Sequence, residues 1–123
     1  MIRAALILAL APCPAAADVI ALSCAFPSVC GANLTCADGV LTLRYEIDRN
    51  SRAVVLVEPD ARVGVSVAQG EAAISFHTHL PTGGFHSTTV TAGGAAVHSR
   101  HMVIEGQLAP SQHYGTCVEG PAQ

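Results

Sequence analysis

The chain has 123 residues, half of them hydrophobic, with 4% aromatic residues, no tryptophan and a net charge of −3. Every basic residue is an arginine and they lie scattered, which excludes the clustered basic face that nucleic acid requires. An amphipathic helical stretch with a basic stripe is also missing, so attachment to a membrane surface is not expected.

Residues 1–17 have the organisation of a secretory signal peptide. Met1-Ile2-Arg3 supplies one positive charge, Ala4 to Ala11 is an apolar run too short to span a bilayer, and Ala15-Ala16-Ala17 forms a small-residue cleavage site before Asp18. Pro12 directly before Cys13 is a poor setting for lipidation, so Cys13 is expected to leave with the signal. Residues 18–123 then make one domain, periplasmic or secreted, with no segment left for membrane insertion.

Val19 to Cys24 reads as a short apolar strand, and 25–38, with Pro27, Gly31 and Asn33, reads as a loop. Gly39 to Ile47 alternates, with Leu41, Leu43, Tyr45 and Ile47 on one face against Thr42, Arg44 and Glu46 on the other. A polar turn at 48–51 leads to the apolar run Ala53 to Val57, Pro59-Asp60 breaks the chain, and Val63 to Val67 alternates again.

Three further strands fill Glu71 to Gly106, which carries five of the six histidines. Pro81-Thr82-Gly83-Gly84 and Gly93-Gly94 are the turns between them. If Leu80 stands opposite Phe85 and Gly93-Gly94 is a two-residue turn, His79 faces His86, His86 faces His101, and His77 joins them through the two-residue period of a strand. One side of the sheet then carries His77, His79, His86 and His101. The other receives Ile74, Phe76, Leu80, Phe85, Met102 and Ile104, together with Thr78, Thr89, His98 and Arg100, which would either form a polar lining open to a small anionic ligand or, the favoured reading, meet water near an open rim. A one-residue slip at the second turn would exchange His101 for His98 and Arg100. The segment 107–112 with Pro110 reads as a connection, and 113–118 as a last strand.

About eight short strands joined by short turns predict an all-β fold, a small antiparallel up-and-down barrel. Four cysteines remain after processing, and in an exported domain they are read first as two disulfides, for which three pairings exist. The preferred one joins Cys30 to Cys36 and Cys24 to Cys117, the latter fastening the first strand to the last. Zinc at these four positions is disfavoured because the CxxC doublets of structural zinc sites are absent.

The histidine face is the only feature with ligand character. Imidazoles at i and i+2 plus one from a neighbouring strand suit copper or zinc, and this local arrangement resembles how carbonic anhydrase and cupin sheets present their metals. Without a metal, no cofactor is expected. Serine catalysis is disfavoured: no Gly-x-Ser-x-Gly elbow is present, and Ser99 alternates away from His98.

The early strand ending in Cys24, the Cys30 and Cys36 pair, and the terminal Pro110-Ser111-Gln112-His113-Tyr114-Gly115-Thr116-Cys117 together resemble small exported proteins of unassigned function from alphaproteobacteria. That resemblance implies a shared barrel and disulfide frame and carries no activity. The chain is also similar in plan to the periplasmic inhibitors of c-type lysozyme, small eight-stranded barrels with a disulfide. It departs from them in having no counterpart of their Tyr, Trp and Lys-containing motif. The expected function is therefore non-enzymatic: an exported binding or inhibitor-type barrel whose partner is an envelope or extracellular protein, with copper or zinc binding as the alternative.

Overall fold

The computed structural model describes residues 18–122. The signal-peptide reading of 1–17, Cys13 included, lies outside the described residues. Eight strands follow one another: β1 (Val19–Gly31), β2 (Cys36–Asp48), β3 (Val54–Val57), β4 (Arg62–Gln69), β5 (Ala73–His79), β6 (Phe85–Thr91), β7 (Ala95–Ile104) and β8 (Gln107–Pro121). Each pairs antiparallel with the next, and β8 returns to β1, so the sheet closes into the up-and-down barrel that the strand spacing predicted. Among the described residues no helix is long and apolar enough to cross a membrane.

The alternating pattern sets the lumen. Ile20 pairs with Ile47, Leu22 with Tyr45, Cys24 with Leu43 and Phe26 with Leu41, one apolar row across β1 and β2. The row passes to β3 through Tyr45 opposite Leu56 and Ile47 opposite Val54. Tyr45 stacks on Phe76 with ring centroids 4.6 Å apart, filling the middle of a barrel that has no tryptophan to do so. Burying side chains of this size stabilises by roughly 1.5–3 kcal/mol each.

Both expected disulfides form, Cys24 with Cys117 and Cys30 with Cys36, so none of the four thiols is free to hold zinc. Each joins residues directly opposite in adjacent strands. The first lies in the core and closes the seam between β1 and β8; the second staples the β1–β2 hairpin near its tip.

Two segments expected to be loops are strand. The β1 strand runs on to Gly31 and β2 begins at Cys36, which shortens the loop of 25–38 to 32–35. Pro27 is tolerated because it occupies a bulge: both ladders of β1 shift register there, so no ladder bond asks for its missing N–H. Gly115 on β8 accepts the bulge. A Cβ there would stand 2.7 Å from Phe26 Cα and closer still to the Ala25 carbonyl oxygen. Likewise 107–112 belongs to β8, and the real turn is Glu105-Gly106, with φ of 49° and 78° between Ile104 and its partner Gln107. Two consecutive positive φ values mark the tight hairpin whose twist matches that of its strands. Pro110 pairs with His101 on β7 but lies beyond the last pair with β1, Gly31 opposite Ser111, where only one neighbour asks for backbone bonds.

Candidate functional site

The two glycine-rich turns decide where the histidines point. Leu80 N donates to Gly84 O and Gly83 N to Leu80 O, with Gly83 at φ 88°, a three-residue loop ending in a left-handed glycine. The second turn repeats the device: Gly94 N donates to Thr91 O and Gly94 has φ 89°. Both registers therefore differ by one residue from the expected ones. Thr78 faces His86 and His79 faces Phe85, while His86 faces Arg100 and Phe85 faces His101.

One slip turns β6 over, and the second restores β7. His77, His79 and His101 stay together on the outside, but His86 moves to the lumen, so the four-histidine face does not exist as drawn. In its place stands Phe85, moved outward with ring centroids 5.6 Å from His77, 5.4 Å from His79 and 6.0 Å from His101. Thr89 also faces out, bonded to Ser75 at 2.7 Å. No group of three or more His, Cys, Asp or Glu side chains is placed to hold a metal ion among the described residues.

Inside, Thr78, His86, His98, Arg100, Ser111 and His113 share one pole of the lumen, the end of the β5–β6 and β7–β8 turns. The expected water-filled rim is wrong for Thr78 and His98, which are 8% and 2% exposed. Arg100 Nε donates to His98 Nε2 at 3.4 Å. A guanidinium only donates, so His98 accepts at Nε2 and holds its proton on Nδ1. From there it donates to Thr88 Oγ1 at 2.7 Å, and the Thr88 and Tyr45 hydroxyls share a further hydrogen bond of 2.7 Å. Burial and the Arg100 charge push the His98 pKa down to about 3. Burial and then Arg100 also lower His86 and His113, with Glu58 opposing the shift at His86. Burial raises the Tyr45 phenol, against the Thr88 hydrogen bond.

The opposite pole has apolar side chains at its base and the polar turn residues Gln69, Glu71, Thr91 and Glu119 around them. Between the β4–β5 and β6–β7 turns a cavity of about 430 Å³ opens into the lumen, walled by Leu22, Ile47, Ile74, Phe76 and Val90. Glu71 and Glu119 also line it, and among the described residues no arginine or histidine does. Its volume falls within the range of small-molecule pockets.

No family model, curated protein or solved structure matches this chain. Ser99 points outward, opposite Ser87 and Gln112, while His98 points inward, as the alternation argument required. Tyr45, Thr88 and His113 escaped the sequence reading as polar-site residues. The inward row containing Tyr45 was legible, but its hydroxyl contact spans 43 positions, and His113 sits at a strand centre that Pro110 disguised as a strand start. The apolar mouth was visible only as core residues, because nothing in a pattern of leucine and isoleucine says where a lumen stays unfilled.

Proposed function

We propose that this chain is an exported, non-enzymatic binding protein that takes a small apolar or cationic amphiphilic ligand into the apolar mouth of its barrel. The observation that carries the reading is the 430 Å³ cavity walled by Leu22, Ile47, Ile74, Phe76 and Val90. Eight-stranded barrels have an interior wide enough for one small ligand where side chains leave room. Glu71 and Glu119 at the rim favour a neutral or positive head group over an anionic one. Two disulfides support an oxidising compartment, in keeping with the export signal read at 1–17.

Binding of the neutral fluorophore N-phenyl-1-naphthylamine to the mature protein tests this. A saturable rise in emission at one site is expected, lost in Ile74→Trp, which would plug the mouth, and retained in Leu108→Ser on the distant β7–β8 hairpin. Equal binding by both variants, or none by the unaltered protein, would overturn the reading. Thermal melts of both variants establish that the barrel remains folded.

A further inference from the structure

Arg100 is a lumen-facing cation without a counterion among the described residues. It lies between His86 and Ser111 in the inward row of β6, β7 and β8, and it is half-buried. Among the described residues the arginine ion pairs join Arg44 and Arg62 to Glu46, and neither reaches this pole. The single hydrogen bond of the guanidinium is the 3.4 Å contact to His98 Nε2, which is made by Nε and leaves both Nη groups without a protein acceptor among the described residues. Removing such a charge from water is unfavourable unless something negative meets it.

Polar groups of the neighbouring imidazoles at this pole are unsatisfied as well. The His86 and His98 rings are 5.4 Å apart between centroids, and His98 and His113 5.9 Å. His86 Nε2 and His113 Nδ1 are both buried and have no hydrogen-bond partner among the described residues. His113 is 9% exposed, and its other nitrogen lies 3.4 Å from Ser111 Oγ, which can donate to it and so leave the ring proton on Nδ1. A neutral His86 can carry its proton on Nε2 in the same way. Thr78 on β5 faces the cluster, and the exposed Glu58 after β3 opposes the lowering of the His86 pKa. A metal ion fits poorly, since it would sit beside a guanidinium and both His98 nitrogens are already engaged.

We propose that this pole of the lumen binds a small oxyanion, with the Arg100 guanidinium supplying charge and His86 Nε2 and His113 Nδ1 donating hydrogen bonds. Charge-assisted contacts to a planar guanidinium suit carboxylate and phosphate alike. The anion is either a free inorganic ion or the carboxylate of an organic molecule, and the two sources separate by titration. The site is at the other end of the lumen from the apolar mouth, so either can fail without the other.

The test is the thermal midpoint and calorimetric titration of the mature protein with inorganic phosphate and, in a second arm, with butyrate, at constant ionic strength held with sodium chloride. Saturable binding in at least one arm is expected, with a rising midpoint, and the stronger arm identifies the source. Arg100→Gln should weaken that binding at least about tenfold, the loss of one charge-assisted hydrogen bond. The same variant should melt above the unaltered protein when no oxyanion is present. Nitrogen-15 shifts of His86 and His113 in the unaltered protein give a readout independent of any variant, and both should move on binding. No saturable binding in either arm, or shifts confined to the outer His77, His79 and His101, would overturn the proposal.

Discussion

His98 shows what a single buried side chain imposes on the whole molecule. With both ring nitrogens engaged and its pKa held at about 3, it stays neutral in the fold across the range where an unfolded histidine charges. Below the ordinary value of 6.5 the unfolded chain binds a proton that the folded chain refuses, so stability is complete above that pH and declines as pH falls towards 3. His86 and His113 are lowered as well, by burial foremost, and add to the loss with the same sign. Each imidazole so held contributes a slope of up to about 1.4 kcal/mol per pH unit. The carboxylates of Glu46, lowered by Arg62, and Asp48, lowered by the Ser51 and Asn50 backbone, lose their contribution only below the ordinary carboxylate range. Between pH 6.5 and 5 the histidines therefore act nearly alone. Thermal melts should show a falling midpoint over that interval, with net proton uptake on unfolding at pH 5, and His98→Gln should reduce both. A midpoint flat from pH 7 to 5 would contradict a neutral buried network.

At the scale of strands and turns, three hairpins carry the argument. Glu105 holds a left-handed conformation at φ 49°, which costs a side-chain-bearing residue about 1 kcal/mol and asparagine less. Glu105→Asn is thus expected to raise stability by about 0.5–1 kcal/mol, read from the urea midpoint; no gain would mean that this turn relaxes differently in solution. The same chemistry explains what was legible beforehand. The eight strands follow from alternation and spacing; the sulfur pairing is the preferred one of the three that four cysteines allow, and closure is inferred from its Cys24–Cys117 bond. The facing of β6 does not follow in this way. Pro81-Thr82-Gly83-Gly84 and Gly93-Gly94 announce turns, but which glycine takes the positive φ sets the loop length, and one residue of difference sent His86 inward and Phe85 outward. Pro27 and Pro110 misled in the opposite direction, since one sits in a bulge and the other beyond the reach of β1.

For the molecule as a whole, closure joins residues 93 apart in sequence through Cys24 and Cys117, whereas Cys30 and Cys36 are separated by 6. Loop-closure entropy then predicts unequal losses on replacing each pair by alanine, about 4.6 kcal/mol for the seam and about 2 kcal/mol for the hairpin staple. Denaturant unfolding checks the order, and equal losses would mean that the seam does not confine the unfolded chain. The closed lumen has two unlike ends: an apolar mouth edged by Glu71 and Glu119, and a polar pole built on Arg100 and three imidazoles. Ligand capture at the first is the central functional proposal. Its most direct test is a methyl carbon-13 spectrum of the mature protein titrated with N-phenyl-1-naphthylamine. Shifts concentrated on Leu22, Ile47, Ile74 and Val90 are predicted; shifts at Leu34, Val103 and Leu108 on the distant hairpins instead, or none at all, would contradict it.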